Sequence, residues 1–161
     1  VERYRIIRKY VQGVVVDAAC GSGFGSWILS RCPSVRRVIG LDRDPQTLAR
    51  ATQNFPECAF APVDLDEGED FGRCLLRLQP EVVVSVETIE HLRDGSVFLE
   101  AVRRSGARRL VLTFPSFPTR GFNVYHLRDW TVGEVTAVLE REPTVAFVIG
   151  DTSQLAVYDL R

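Results

Sequence analysis

Short apolar runs rich in β-branched residues alternate with amphipathic stretches along the whole chain. The apolar runs have the length and composition of strands, and they lie at residues 14–20, 36–42, 58–64, 81–87, 108–115, 143–150 and 153–160. The stretches between them carry apolar side chains at helical spacing, at residues 25–32, 45–54, 71–79, 96–105 and 131–142, with a further N-terminal helix predicted over 1–12.

The order of these elements predicts the fold class. Strands that alternate with helices form parallel pairs, because a parallel connection needs a long crossover. Only a short turn separates residues 143–150 from 153–160, so these two strands must pair antiparallel. We therefore predict one α/β domain over 1–161, with its core in 13–161. Its fold is doubly wound and Rossmann-like, with a mostly parallel seven-stranded sheet that ends in a C-terminal antiparallel hairpin.

The composition limits the classes of partner and the location. The chain has 161 residues, a net charge of −1 and 45% apolar residues, as a globular domain does. It lacks the basic surplus typical of proteins that hold long nucleic acids, which argues against RNA. No apolar run is long enough to cross a bilayer, and the N-terminus is too charged for a signal peptide. We expect no membrane partner, a cytoplasmic location and reduced thiols at the four cysteines, which show no zinc-type spacing: Cys20, Cys32, Cys58 and Cys74.

Glycines follow the first predicted strand, in the position of a ligand-binding loop. Gly21, Gly23 and Gly25 let the backbone turn sharply and lie flat against a ligand. The next helix points its free N–H groups at the same place. Asp42 ends the second strand about 20 residues later, where a carboxylate accepts both hydroxyls of a ribose. Asp64 ends the third strand, within reach of an adenine amino group, so the pattern indicates an adenosine-containing ligand.

The chain resembles the class I S-adenosylmethionine-dependent methyltransferases in four segments, D-A-A-C-G-S-G-F-G, G-L-D-R-D, P-V-D-L and V-S-V-E-T-I-E-H-L. A dinucleotide-binding dehydrogenase has G-x-G-x-x-G, which needs glycine where this chain has Ser26. The resemblance implies an enzyme whose cofactor is S-adenosylmethionine. A nicotinamide-dependent oxidoreductase and a non-catalytic cofactor-binding subunit are the alternatives.

The resemblance also implies which residues bind the cofactor. Asp17 orients the glycine loop and the methionine ammonium group, and Arg3 pairs with the methionine carboxylate. Asp42 binds the ribose, while Asp64 and its apolar neighbour Leu65 hold the adenine. The full predicted set is Arg3, Asp17, Ala19, Gly21, Ser22, Gly23, Asp42, Arg43, Asp64, Leu65 and Glu87.

Two histidines are predicted to meet where the methyl group is transferred. His91 follows the fourth strand and His126 follows the fifth, and these strands are neighbours in this topology. Either imidazole can serve as a general base toward a hydroxyl nucleophile, with Glu90 beside it. The segments around both histidines are also similar to bacterial small-molecule and sugar O-methyltransferases. We therefore predict Glu90, His91 and His126 as catalytic residues, and methyl transfer to an oxygen of a small molecule or saccharide.

Other interpretations of this cluster stay open. Glu87, Glu90, His91 and His126 are suitable ligands for a divalent metal. That arrangement resembles the small-RNA 3′-terminal 2′-O-methyltransferases and implies metal-assisted methylation of an RNA 3′ end. The histidines are equally suited to a structural role, and we do not favour a bound metal.

The longest predicted loop, 114–130, carries His126, which Phe122 and Trp130 flank. Trp130 and Phe122 are expected to pack in the core at the start of the last helix, with a role in covering a substrate as the alternative. The sequence shows no obvious substrate lid, so a partner subunit that completes the substrate site is an alternative.

Overall fold

The structure is a computed structural model that describes residues 2–161; residue 1, where the predicted N-terminal helix starts, lies outside the described residues. The strands are β1 (Gly13–Ala18), β2 (Val35–Asp42), β3 (Ala59–Pro62), β4 (Val82–Val86), β5 (Arg109–Pro115), β6 (Val145–Ile149) and β7 (Ser153–Asp159). The α-helices are α1 (Glu2–Ile7), α2 (Phe24–Ser30), α3 (Pro45–Asn54), α4 (Gly68–Leu78), α5 (Gly95–Arg104) and α6 (Val132–Leu139). Within residues 2–161, none of the helices is both long enough and apolar enough to span a membrane.

The strands form a seven-stranded sheet in the order β3-β2-β1-β4-β5-β7-β6. The pairs β1–β2, β1–β4, β2–β3 and β4–β5 are parallel. β7 lies between β5 and β6 and is antiparallel to both. The predicted Rossmann-like fold, with its C-terminal antiparallel hairpin, is confirmed. The strand order reverses between β1 and β4, and ligands of such sheets bind in the crevice at this switch point.

Apolar side chains cover both faces of the sheet. In β4, Val83 belongs to the core cluster that contains side chains of α4, α5 and α6. Its neighbours Val82 and Val84 belong to the cluster that contains side chains of α1 and α2. Alternate side chains of a strand point to opposite faces, so β4 is buried on both sides. This burial explains why its sequence is a continuous apolar run.

Several element boundaries differ from the prediction. α4 begins at Gly68, about one turn before the predicted start at 71. Its first turn carries two acidic residues, which stabilise a helix N-terminus. The prediction missed this turn because it relied on the spacing of apolar residues. α6 ends at Leu139 because Glu140 takes a left-handed conformation with φ of 54°. A 3-10 turn at Ile89–His91 is absent from the prediction.

The N-terminal helix is shorter than predicted, since α1 ends at Ile7 and a single 3-10 turn follows it. Its Tyr4 hydroxyl donates a hydrogen bond to Asp17 Oδ1 at 3.1 Å. The Ser26 hydroxyl donates to Asp17 Oδ2 at 2.7 Å. Asp17 is fully buried near the end of β1, and it therefore links α1 and α2 to the sheet.

The contact between Tyr4 and Gly25 predicts the effect of adding a methyl group. A Cβ at Gly25 would lie 2.0 Å from Tyr4 Cζ, so Gly25→Ala must displace the tyrosine ring. We expect urea denaturation to show a loss of about 2 kcal/mol of unfolding free energy, as overpacking typically causes. The matched control is Gly133→Ala in α6, where an added Cβ meets nothing within 4 Å. The control should be neutral or stabilising by up to about 1 kcal/mol; equal stabilities would contradict the packing.

The burial of Asp17 predicts a specific pH dependence of stability. Burial raises the pKa of Asp17 from 3.8 to about 6, although hydrogen bonds from Ser26 and Tyr4 oppose the shift. The folded protein therefore holds this proton more tightly than the unfolded chain does. The resulting stabilisation is complete below the unfolded pKa and is lost as the pH rises through the folded pKa.

We expect the unfolding free energy of Asp17→Asn, relative to the unaltered protein, to increase by about 2 kcal/mol between pH 4 and pH 7. Urea titrations across this range measure the difference. Asp44→Asn is the control, because hydrogen bonds from Thr47 and Gln46 lower the pKa of Asp44, so its difference from the unaltered protein should stay nearly constant over this range. Stability curves of Asp17→Asn that run parallel to those of the unaltered protein would refute the effect.

Candidate active site

The loop between β1 and α2 contains three left-handed residues. Ala19, Gly21 and Gly23 have φ values of 59°, 53° and 80°. A Cβ at Gly23 would lie 2.7 Å from the Phe60 ring, so packing requires glycine there. A Cβ at Gly21 would meet nothing within 4 Å, and Ser22 beside it is exposed. Gly21 is therefore the point at which the loop backbone faces open space, as close approach to a ligand requires.

Asp42 fixes this loop from the end of β2. Its Oδ2 accepts a hydrogen bond from the Gly21 N–H at 2.9 Å, and its Oδ1 accepts one from the Asp44 N–H at 3.0 Å. The residue is only partly buried, and each carboxylate oxygen accepts more than one hydrogen bond. Asp42 can therefore bind the two hydroxyls of a ribose while it holds the loop.

A pocket of about 210 Å³ opens at the carboxyl ends of β1, β2, β3 and β4. Seven predicted site residues line it, namely Ala19, Asp42, Arg43, Asp64, Leu65, Glu87 and His91. Four further residues line it that are not in the predicted catalytic or cofactor-binding sets, namely Val63, Val86, Thr88 and Leu92. All four are sequence neighbours of predicted residues. The position of these segments at the strand ends could therefore have identified them. A second cavity of about 610 Å³ shares Arg43, Val63 and Asp64 and extends along α4.

The remaining predicted cofactor residues do not line this pocket. Asp17 is buried, and both of its oxygens already accept hydrogen bonds from protein hydroxyl groups. Gly21, Ser22 and Gly23 form the loop itself. Arg3 Nε donates to Ser153 Oγ at 2.6 Å and lies 3.3 Å from Glu87 Oε1. Arg3 is therefore held at the edge of the site by the same Glu87 that lines the pocket.

His91 has a defined tautomer. Its Nδ1 lies 2.9 Å from the backbone carbonyl oxygen of Tyr125. A carbonyl only accepts hydrogen bonds, so Nδ1 carries the proton and the neutral ring leaves a lone pair on Nε2. The side chain is 41% exposed. In its neutral form, His91 therefore has the free ring nitrogen that a general base needs, and the residue lines the pocket.

His126 differs from His91 because both of its ring nitrogens are already bonded. Asn123 Nδ2 donates to His126 Nε2 at 2.8 Å, and Tyr125 N–H donates to Asn123 Oδ1, which fixes the orientation of the amide. Nδ1 pairs with Thr119 Oγ1 at 2.5 Å. Burial, and secondarily the neighbouring His91, lower the pKa of His126. The two rings lie edge to face, 4.6 Å apart, so a neutral His126 holds the loop beside His91.

Glu90 is a buried carboxyl group for which no hydrogen-bond partner exists among the described residues, at either oxygen. Burial, reinforced by Glu87, raises its pKa to about 8, so it is protonated at neutral pH. Its Oε1 lies 3.9 Å from His91 Nε2. Glu90, His91 and His126 each offer one atom that could bind a metal, and these three atoms lie within 4.8 Å of one another. The structure thus brings the three predicted catalytic residues together; Glu87, the fourth predicted metal ligand, is outside this group.

The two aromatic residues near His126 occupy different environments. Trp130 is buried in the core, as predicted. Phe122 is 71% exposed, so the expectation that it packs in the core is wrong. Its ring stacks on the exposed ring of Phe117, with the centroids 6.2 Å apart. Polar groups within the loop bond to one another, which fixes the loop without burying Phe122.

The family model described as a methyltransferase domain matches residues 16–108. A probable S-adenosylmethionine-dependent methyltransferase from Mycolicibacterium smegmatis is 33% identical in a 146-residue alignment that covers 86% of this chain and 53% of that protein. The chain therefore spans about half the length of this relative.

Solved structures show the same fold. A TehB-like S-adenosylmethionine-dependent methyltransferase from Corynebacterium glutamicum matches with a TM-score of 0.70 and 24% identity, over 98% of this chain and 86% of that one. The N-methyltransferase NodS from Bradyrhizobium japonicum, in complex with S-adenosyl-L-homocysteine, matches with a TM-score of 0.72 and 14% identity. This match covers 98% of this chain and 83% of that one. The alternative of a nicotinamide-dependent oxidoreductase is thereby set aside. This chain belongs to the class I S-adenosylmethionine-dependent methyltransferases.

Proposed function

We propose that this domain transfers the methyl group of S-adenosylmethionine to a hydroxyl oxygen of a small molecule, saccharides included. The observation that carries the proposal is the position of His91. His91 lines the same pocket as Asp42 and Asp64, and the neutral ring has its lone pair on Nε2. A base beside the cofactor pocket suits a nucleophile that must lose a proton during attack.

The pocket residues suit an adenosyl ligand. Asp42 would accept the ribose hydroxyls, Asp64 the adenine amino group, and the buried Leu65 would contact the ring. Gly21 offers open backbone to the methionine end, where Arg3 would pair with the carboxylate after it leaves Glu87. Asp17 would act through the loop, since it is buried and already hydrogen-bonded.

The cofactor supplies a methyl group already activated by its sulfonium, so the protein mainly aligns the acceptor and removes its proton. His91 Nε2 would take the hydroxyl proton as the oxygen attacks. The Tyr125 carbonyl holds Nδ1–H throughout and stabilises the imidazolium. Glu90 Oε1 lies 3.9 Å from His91 Nε2. Glu90 is therefore close to the proton that His91 would take from the acceptor.

A divalent metal is the second candidate, because the unpartnered Glu90 carboxyl group lies with His91 and His126. Such a metal would hold acceptor hydroxyls, as the alternative of RNA 3′-end methylation requires. Against it, His126 Nε2 would first have to release Asn123. Turnover that survives EDTA favours the acid–base role, whereas turnover restored only by Mn²⁺ favours the metal.

Location and partners stay proposals. The four cysteines are buried and unpaired, which supports the cytoplasmic location predicted from the sequence. A partner subunit that closes the substrate site stays a prediction. A purely cofactor-binding role, without turnover, is the alternative that the methylation assay tests directly.

Asp42→Ala is expected to weaken S-adenosylhomocysteine binding by about 1–3 kcal/mol, the loss of charge-assisted hydrogen bonds. Isothermal titration calorimetry measures the dissociation constant directly. Asp44→Ala is the matched control, because Asp44 caps α3 through Gln46 N–H and Thr47 N–H and does not line the pocket. The control should lower stability through the loss of the helix cap and leave the affinity unchanged. Unchanged affinity in Asp42→Ala would reject the ribose assignment.

His91→Ala is expected to reduce the methylation rate of a hydroxyl acceptor by about a hundredfold to ten-thousandfold, the usual contribution of a general base. Radiolabelled methyl transfer to a panel of phenols and saccharides measures the rate. Binding of S-adenosylhomocysteine should stay within about twofold, since the predicted ribose and adenine contacts are intact. Turnover that persists in the folded variant would show that His91 is not the base.

A further inference from the structure

The segment 116–128, which we call the aromatic loop, exposes an unusual number of large apolar side chains. Val124 is 85% exposed, Tyr125 75% and Phe122 71%. Phe117 and Leu127 in the same loop are also exposed. Single exposed apolar residues are normal on a protein surface, but several on one short segment mark a binding surface.

Apart from Arg120 and the exposed Tyr125 hydroxyl, the polar side chains of the aromatic loop are hydrogen-bonded or ion-paired within the protein. Asn123 bonds to His126 and to the Tyr125 N–H. Arg128 pairs with Glu134 at 2.8 Å. The carboxylate of Asp129, just beyond the loop, accepts from the N–H groups of Thr119 and Arg120. The loop therefore exposes mainly apolar groups, while most of its hydrogen-bonding groups stabilise the loop itself.

Arg120 differs from Arg128, because its guanidinium has no ion-pair partner among the described residues. The Arg120 side chain is exposed. The acidic group nearest in sequence, Asp129, is committed to backbone N–H groups. The surface around the apolar side chains therefore carries the unpaired positive charge of Arg120, which suits a neutral or anionic ligand.

The aromatic loop is continuous with the proposed base. The Tyr125 carbonyl holds His91 Nδ1 at 2.9 Å, and the Leu127 N–H donates to the Glu90 carbonyl at 2.8 Å. The backbone of the aromatic loop therefore contacts the histidine that we propose as the base.

We infer that the aromatic loop binds the methyl acceptor, and that the acceptor is a neutral or anionic phenol with an apolar aryl body. This inference rests on the proposed function. Its aryl body would pack on Phe122, Val124 and Tyr125, with its hydroxyl at His91 Nε2. In the transfer, the S–CH₃ bond breaks as the O–CH₃ bond forms, the hydroxyl proton goes to His91, and S-adenosylhomocysteine leaves.

Two physical reasons favour a phenol over a saccharide. Saccharides are held through several hydroxyl groups, and the aromatic loop offers them few free polar side chains, chiefly Arg120 and the Tyr125 hydroxyl. A phenol has a pKa near 10, as the tyrosine side chain does, so a neutral imidazole can take its proton during attack. The hydroxyl group of a saccharide is a much weaker acid.

The test measures binding of 2-naphthol to the protein saturated with S-adenosylhomocysteine, by calorimetry, with methyl glucoside as the polar comparison. The variant Phe122→Ser/Val124→Ser removes two exposed apolar groups from the aromatic loop. We expect it to weaken 2-naphthol binding about tenfold or more, since both groups would be buried by the ligand. The control is Leu76→Ser, because Leu76 is 59% exposed on α4 and does not belong to the loop. All variants should bind S-adenosylhomocysteine as the unaltered protein does.

The inference is overturned if 2-naphthol binds no more tightly than methyl glucoside, or if the double variant binds 2-naphthol unchanged. It is also overturned if the double variant alters only self-association or binding to anionic phospholipid vesicles, which would assign the surface to a protein or a membrane. Failure of the proposed function gives a different result. The protein would then not bind S-adenosylhomocysteine, while 2-naphthol binding would still be measurable on the ligand-free protein.

Discussion

The buried carboxyl group of Asp17 joins the three elements that surround the candidate cofactor site. It receives one hydrogen bond from Tyr4 in α1 and one from Ser26 in α2, and it lies in β1 itself. A buried carboxyl group is costly unless it is hydrogen-bonded, so this arrangement determines where both helices sit. The contact of Tyr4 with Gly25 follows from the same constraint, and the glycine loop is held between them.

The second constraint is the pairing of β4 with β5. Because these strands are parallel neighbours, the segments that follow their carboxyl ends meet, although His91 and His126 are far apart in sequence. The two histidines then take different roles through their hydrogen bonds alone. A backbone carbonyl bonds one nitrogen of His91, whereas an amide and a hydroxyl occupy both nitrogens of His126.

Periodicity and segment order were sufficient to predict the sheet, its helices and most of the pocket lining. The insertion of β7 between β5 and β6 could not be predicted, because a hairpin shows that β6 and β7 pair but not which of them joins the sheet. The exposure of Phe122 was missed for a related reason. An aromatic residue in a loop has no periodic pattern, so only the contacts of the folded loop decide whether it is buried. The same holds for the tautomer of His91 and for the bonds of Arg3 to Ser153 and Glu87.

The bond between Arg3 and Ser153 also bears on the order of assembly during synthesis. The chain emerges from the ribosome N-terminus first, so α1 is made early and β7 last. β7 must insert between β5 and β6 before Ser153 can receive the Arg3 guanidinium. The growing polypeptide consequently cannot complete this edge of the cofactor site while residue 153 is still in the exit tunnel. Until then the first helix is held by its other contacts, which include Asp17, Gly25, Glu87 and the apolar cluster around Ile7, and the edge forms after translation of the hairpin.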